Sequence, residues 1–564
     1  MSDTVVEISL GKLEGFYKDS VYNFLGIPYA KAPVGNDRWS APKPPAAWAG
    51  VLQADKFAPG SAQIRSGAIS YLPGDPQDND ENCLFLNIWT PRLGPEKLPV
   101  MFFIHGGAFL NGSPSQFMYN GVNLAKRGVV AVSAAYRLGA LGFMAHPALV
   151  DEETGLWANF GLADQIAALS FVQQHISYFG GDADNVTVFG QSAGSMSAVD
   201  LIGAETDCLF AQSRSSSRKV LIDQAKAPLG PSGKPLFRKL IAQSGGVLAT
   251  TADAAIRVTE HMAKELGLKD VTKETFCEFD TQTILAAQAK IVAGIDEGLG
   301  MPFQPVTDGL LLPQHPASQI AAGAGSDIDI LLGTNRDEFR LFALSLPGLD
   351  NLSLADVTKY LGSYLKAAGI AKERLSAQEV VDFYLGRSSD SETNTPRRFL
   401  EQIGTDWIFT VPVSRLAISH SLAGGKAFRY RFDKASPFMN GVLGACHGIE
   451  LPFVFGTTDH PIVGLFSGQG KTVQTLSESI QTAWVSFAYN GDPSCDMLGK
   501  WPEYGTGGQQ VMRFDDESGV SDNLDEEILS FWDVHLGKYG EAGPIEGATP
   551  GSVAHMATEL EDLE

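Results

Sequence analysis

The chain has 564 residues, 44% of them hydrophobic and 19% charged, a balance that belongs to a globular protein with a large buried core. Its 65 acidic residues against 42 basic ones give a net charge of -23, which repels a phosphate backbone and argues against nucleic acid as a partner. No apolar run reaches the roughly 18 residues of a membrane span, and the first residues lack the basic start and apolar run of a signal peptide, so the expected location is cytoplasmic, away from membranes.

Cys83, Cys208, Cys277, Cys446 and Cys495 lie far apart, are odd in number and have no metal-type spacing, which fits a reduced intracellular protein without a metal site. From the start, Val5 to Leu10 and Leu13 to Tyr17 predict a hairpin around Gly11-Lys12. A loop rich in Gly, Pro, Ser and Asp runs from Phe57 to Asn82. Leu84 to Trp89 predicts a strand, and the continuously apolar Pro99 to Ile104 one central to a sheet. It ends in His105-Gly106-Gly107-Ala108-Phe109, a glycine-rich turn whose Gly107 and Ala108 N–H groups can face a negative oxygen.

Val129 to Ser133 is the next strand, and Leu162, Ile166, Leu169, Val172 and Ile176 recur at helical spacing on one apolar face. Val186, Val188 and Phe189 then lead into Gly190-Gln191-Ser192-Ala193-Gly194, a Gly-x-Ser-x-Gly pentapeptide on a strand-to-helix turn. Such a turn strains the serine backbone and tolerates only glycine where β-carbons would strike the adjoining strand and helix. The Ala193 N–H joins Gly107 and Ala108 as a third donor for an oxyanion.

Glu205 to Gly233 breaks the pattern with Ser, Arg, Pro, Gly and Lys, and reads as an exposed insertion (205–233). Ile328 to Leu332 resumes the sheet, and Gly333 to Glu338 forms the loop after it. Residues 340–425 are expected to be a helical lid region, Ala427 to Phe432 a strand, and Gly444 to Gly448 a loop beyond it. Leu476, Ile480, Trp484 and Phe487 mark one face of a helix stopping at Asn490-Gly491. The catalytic unit spans 1–540; residues 541–564 hold six acidic residues with no Lys or Arg and form an acidic, mobile tail. Strands alternating with helices imply an α/β fold with a mostly parallel sheet.

A serine hydroxyl needs a base, and the base a carboxylate to fix its tautomer. In elbow folds these follow the serine in the order acid, then histidine. Of the histidines after Ser192, His447 sits in a glycine-flanked loop beyond a strand, whereas His420 lies in a helical stretch and His555 in the tail. The acid is Asp337 or Glu338, which spacing does not separate. Cys446 reads as a small packed side chain, since it has no elbow of its own.

Phe24 to Ala30, Glu81 to Trp89, His105 to Phe109, Phe189 to Gly194, Asn335 to Glu338 and Cys446 to Phe455 together resemble the type-B carboxylesterase and cholinesterase family, in its bacterial or fungal carboxylesterase form, from about residue 5 to 535. The resemblance implies an α/β-hydrolase fold with helical lid insertions. It implies Ser192 as nucleophile, His447 as general base and acid, Glu338 as the orienting acid, Gly107, Ala108 and Ala193 as oxyanion donors, and Ser244 as a serine near the histidine.

Four departures stand out. Gln191 occupies the usual Glu position, which removes a negative charge beside the serine and weakens any preference for cationic substrates; Ala108 replaces a glycine and brings a methyl group towards the pocket. Asn82 replaces an Asp, and Cys83 matches a cysteine that secreted relatives pair upstream, where this chain has none. The expected activity is hydrolysis of small neutral carboxylic esters, with no metal or organic cofactor. Carbamate or anilide hydrolysis by the same residues is the alternative, and a non-catalytic adhesion role is disfavoured because Ser192, Glu338 and His447 are all present. Monomer and homodimer are left open.

Overall fold

In the computed structural model the described residues are 4–64, 78–210, 227–293, 301–344, 346, 348–367, 370–387, 395–505 and 507–536. The expected tail therefore lies outside them, as do 65–77 of the long loop and 211–226 of the insertion.

The organising element is an eleven-stranded sheet. In chain order its strands are β1 (Phe16–Lys18), β2 (Val21–Pro28), β3 (Phe85–Thr90), β4 (Leu98–Ile104), β5 (Val130–Ala134), β6 (Gly181–Gln191), β7 (Lys239–Gln243), β8 (Asp329–Asn335), β9 (Ala427–Phe432), β10 (Val511–Phe514) and β11 (Gly519–Ser521). They lie side by side as β1-β2-β3-β5-β4-β6-β7-β8-β9-β10-β11. From β5 to β10 every pairing is parallel, while the edges are antiparallel.

Both faces of the sheet are covered, and the side-chain alternation shows it. Along β4, Val100, Phe102 and Ile104 belong to one core, and Met101 and Phe103 to the other. The same split places Val186 and Val188 of β6 opposite Phe189, and Ile330 and Leu332 of β8 opposite Leu331. A period of two with both sets apolar is what a strand buried on two sides requires, and it explains the unbroken hydrophobic run of Pro99 to Ile104.

The chain leaves β4 for β5 on one side and then crosses to β6 on the other, so a crevice opens at the carboxyl ends of β4 and β6. Register aligns those ends: Gly190 pairs with Ile104, Gln191 with Gln243, and Gln243 with Gly333. The segments beginning at His105, Ser192, Ser244 and Arg336 therefore emerge along one edge.

Of the helices that matter here, α1 (Phe160–His175) precedes β6, α2 (Ala193–Asp200) follows it, and α3 (Leu354–Ala367), α4 (Ala377–Arg387) and α5 (Pro396–Thr405) run into a π-turn at Asp406–Thr410. Then come α6 (Val411–Leu422), α7 (Lys471–Asn490) and α8 (Glu526–Leu536). Residues 340–422 are thus helical wherever they are ordered into elements, with a core of their own in which Val357, Leu361, Trp407 and Trp532 meet. The long helix ends as expected: Gly491 adopts φ 68° and returns its N–H to Phe487 O at 2.8 Å.

Three readings need correction. The N-terminal hairpin turns at Ser9-Leu10, because Ile8 pairs with Gly11; Gly11 is glycine since a β-carbon there would stand 2.5 Å from Trp48 Nε1. Its second arm breaks at Gly15, where the chain passes beneath Asn23 O and moves into the large sheet. Helix α1 is buried on nearly every side, including Asp164, whose carboxylate accepts from Arg137 Nε at 2.8 Å and Nη2 at 2.7 Å. Strand β8 runs on to Asn335, because β9 pairs with it through Asn335 and Phe432. The described ends of the 205–233 stretch are mixed: Ala227, Pro228 and Gly230 are buried, while Glu205, Asp207 and residues 231–233 are exposed.

Candidate active site

Ser192 stands at the turn between β6 and α2 with φ 58° and ψ -130°, a conformation non-glycine residues avoid and surrounding structure must impose. Two glycines permit it. A β-carbon at Gly190 would lie 2.4 Å from the Gly194 carbonyl, and one at Gly194 would lie 2.1 Å from Ile104 O. The turn is tied down by Ser192 N–H donating to Gln243 O at 2.9 Å, while Ser192 O accepts from Met196 N. The side chain remains half-buried, at the opening of a helix whose first N–H groups have no intrahelical acceptor.

Against this elbow lies the turn after β4. A β-carbon on Gly106 would meet Gln191 O at 2.5 Å and Ser192 Cβ at 2.9 Å, so the two turns touch through a glycine. Gly107, Ala108 and Phe109 follow with φ of 121°, 54° and 59°. Leu110 N and Asn111 N both donate to Gly107 O, and Gly139 N donates to Phe109 O, which holds this left-handed run. Ala108 carries strain of about 1–2 kcal/mol that a glycine would avoid. Among the described residues the Gly107 and Ala108 N–H groups make no hydrogen bond.

His447 Nδ1 lies 2.6 Å from Glu338 Oε2, and its backbone N–H reaches Glu338 O. Glu338 is fully buried, and its other oxygen accepts the Asn335 N–H at 2.7 Å. Asp337 points elsewhere. It accepts from Ala445 N at 2.8 Å and from Arg340 and Arg336, so it holds the histidine loop while Glu338 meets the ring. Among the described residues His447 is the one histidine paired with a carboxylate; His420 Nε2, by contrast, contacts Ile328 O inside α6.

The other ring nitrogen faces Gln191: its Nε2 lies 3.1 Å from His447 Nε2. No hydrogen bond joins Ser192 Oγ to His447 among the described residues, so the structure brings the acid and histidine together and sets the glutamine at the remaining nitrogen. Ser244 follows β7 at the same edge: its N–H donates to Gly333 O, and its buried hydroxyl has no hydrogen-bond partner among the described residues. Its neighbour Gly245 packs under the elbow, where Gly245 O accepts from Ser195 Oγ at 2.7 Å. Cys446 is buried and free, its thiol pushed well above the usual range by burial, which fits a packing role. Cys83 is likewise buried and unpaired.

Several neighbours escaped the sequence reading. The rings of Phe342 and Phe409 lie 5.0 and 4.9 Å from the His447 ring. Gln63 exchanges two hydrogen bonds of 2.9 Å with the Gly112 backbone and so ties the long loop to the segment after the glycine-rich turn that follows β4. Glu450, three residues beyond His447, accepts from Asn335 Nδ2 at 2.6 Å and Gln243 Nε2 at 3.1 Å. Burial first, and then the charge of Glu338, push its carboxyl up to about 7. The i, i+3 spacing of His447 and Glu450, and of Asn335 and Glu338, is the sequence signal that could have pointed to this network.

Among the described residues there is no cluster of acidic, histidine or cysteine side chains fit to hold a metal, and no helix long and apolar enough to cross a membrane. Comparison with known proteins gives a consistent picture. The chain matches the model of the carboxylesterase family over residues 2–218 and 227–532. It is 33% identical over 537 residues to para-nitrobenzyl esterase of Bacillus subtilis (strain 168), covering 93% of this chain and 98% of that one. It is 30% identical over 527 residues to phenmedipham hydrolase of Pseudarthrobacter oxydans, covering 91% and 95%. The crystal structure of a Geobacillus stearothermophilus carboxylesterase superposes with a TM-score of 0.79 at 32% identity, covering 94% of this chain and all of that one. The chain thus belongs to the carboxylesterase family, and is a carboxylic-ester hydrolase with the α/β-hydrolase fold.

Proposed function

We propose that the chain hydrolyses small neutral carboxylic esters through a Ser192–His447–Glu338 triad and an acyl-enzyme. The observation that carries this reading is the 2.6 Å contact between His447 Nδ1 and the buried Glu338 carboxylate, on a loop facing the strained serine turn. With Nδ1–H donated to Glu338, Nε2 is left as the base.

His447 Nε2 takes the Ser192 proton as Oγ bonds to the ester carbonyl carbon. The oxyanion is held by the N–H groups of Gly107, Ala108 and Ala193. Collapse breaks the bond to the alcohol oxygen, which leaves with the proton from His447. Water, deprotonated by His447, then attacks the acyl-enzyme and releases the acid and free Ser192. The neutral amide of Gln191 beside the serine supports uncharged substrates over cationic ones. Residues 340–425 serve as the lid, a reading supported by Phe342 and Phe409, which that region sends against His447.

The test is turnover of a panel of p-nitrophenyl esters, short to long in the acyl group, by the chain and by Ser192→Ala. The variant is expected to fold and to lose hydrolysis of every ester; retained turnover would sink the proposal. Competition with aryl carbamates distinguishes ester from carbamate preference.

A further inference from the structure

The side chain of Gln191 has no assigned part in the triad, yet its amide nitrogen sits at the one atom of His447 that the serine must use. Three observations define its setting. Gln191 is buried, its Nε2 is 3.1 Å from His447 Nε2, and its carbonyl oxygen lies against the bare Cα of Gly106, where a β-carbon would approach it to 3.2 Å. Since Nδ1 donates its proton to Glu338, Nε2 of the neutral ring is an acceptor, and the contact is a hydrogen bond from the Gln191 amide to that lone pair.

Resting on the triad reading, we propose that Gln191 is a positioning residue that caps Nε2 of neutral His447 in the resting enzyme and yields it to the Ser192 hydroxyl when substrate binds. The ring is held at both nitrogens, by Glu338 on one side and Gln191 on the other, with Phe342 and Phe409 against it. Such a clamp fixes the tautomer and the ring plane before the ester arrives. An amide suits the post because its nitrogen donates to the neutral ring, and a turn of the amide about its last torsion presents the oxygen to the imidazolium that forms during attack. A carboxylate at the same place would only accept, and would hold the ring protonated.

The titratable groups facing this ring are Glu338 and Glu450, with the thiol of Cys446 and the phenol of Tyr430 beyond them. Glu450 is the one that titrates near neutrality, so the experiment separates it.

The measurement is the pH dependence of kcat and KM on p-nitrophenyl acetate for the wild-type chain, Gln191→Met and Gln191→Glu, each repeated in a Glu450→Gln background, with Tm recorded for all. In Gln191→Glu the acid limb of kcat/KM is expected to move up by a pH unit or more, about a tenfold loss at pH 6 that recovers by pH 9. In Gln191→Met, which removes the donor without adding charge, the limb moves the same way by less. KM changes little in both, because the amide acts on the base, and both shifts persist with Glu450→Gln.

Acid limbs that superimpose on the wild type, or a uniform loss of kcat at every pH that tracks Tm, would overturn the proposal, as would shifts that vanish in the Glu450→Gln background. A wild-type chain that p-nitrophenyl acetate does not acylate at Ser192 would remove the triad reading and this one with it. Acylation at Ser192 with unmoved limbs would remove only the role of Gln191.

Discussion

Two loops that flank Ser192 each carry a buried histidine, and their surroundings differ in one decisive respect. In the turn after β4, His105 Nδ1 donates to Gly106 O at 2.9 Å, the ring stacks on Tyr136 with centroids 4.6 Å apart, and it has no carboxylate partner among the described residues. Burial pushes it down to about 4. In the loop before α7, His447 meets the Glu338 carboxylate at 2.6 Å and shows its other nitrogen to the elbow. One ring is a neutral wedge in the turn that packs against the elbow; the other, on the proposed triad, is wired to move a proton. Burial alone makes a histidine inert, and burial beside an acid makes it a base.

The largest expected effects break the second loop. His447→Ala and Ser192→Ala should each lower kcat/KM by at least about 10⁴-fold while far-UV CD and Tm stay close to wild type, since residues acting as one unit fail together. Glu338→Gln should cost on the order of 10³- to 10⁴-fold, because it leaves the ring in the wrong tautomer. Asp337→Asn is the contrasting case: it weakens the bond from Ala445 N and the pairs with Arg336 and Arg340, so stability should fall by about 1–3 kcal/mol with a smaller loss of activity. Steady-state kinetics with denaturant titration separates the two acids; an Asp337→Asn defect as deep as that of Glu338→Gln would erase the distinction.

The first loop should respond in stability and hardly at all in the acid limb of activity. A histidine with a folded value near 4 and an ordinary value near 6.5 is protonated first in the unfolded chain. The unfolded state therefore binds the extra proton between those values, and stability from this group is full above about 6.5 and is lost as pH falls towards about 4. His105→Phe keeps a ring against Tyr136 and removes that titration, so the drop in Tm between pH 6.5 and pH 4 should be shallower than in the wild type. Glu450, pushed up to about 7, has the opposite sign: its contribution is full below the ordinary carboxyl range and declines as pH rises to about 7. The comparison of His105→Phe with wild type at each pH cancels it.

The smallest expected effect is at Ala108, held at φ 54° where glycine is at ease. Ala108→Gly should raise stability by about 1 kcal/mol by releasing strain, set against the extra freedom glycine gives the unfolded chain. It should also widen acceptance of bulky esters. An unchanged ester profile would show that the methyl group does not face substrate.

The elbow, the turn after β4 and the histidine loop were legible because strained or closely packed backbone demands glycine at fixed places: Gly190, Gly194, Gly106 and Gly444 all stand where a β-carbon would collide. The unbroken apolar run of Pro99 to Ile104 revealed the central strand because both faces of β4, like those of β6, are core. What stayed hidden depends on contacts between distant segments. Nothing local marks Phe342 and Phe409 as the rings beside His447, or Gln63 as the brace of Gly112. Helix α1 looked one-sided because its polar Asp164 and Gln165 are buried by partners, Arg137 and Ser197, that no periodicity records. Spacing alone did not separate Asp337 from Glu338; the resemblance implied Glu338, and its carboxylate is the one that lies 2.6 Å from His447 Nδ1.

The most direct measurement is the pre-steady-state burst with p-nitrophenyl acetate, quenched and mapped by peptide mass spectrometry. The triad account predicts one equivalent of p-nitrophenolate per chain in the burst and an acetyl group on the peptide containing Ser192, both absent in Ser192→Ala. A burst that survives in Ser192→Ala, or an acetyl group carried on another residue, would contradict it.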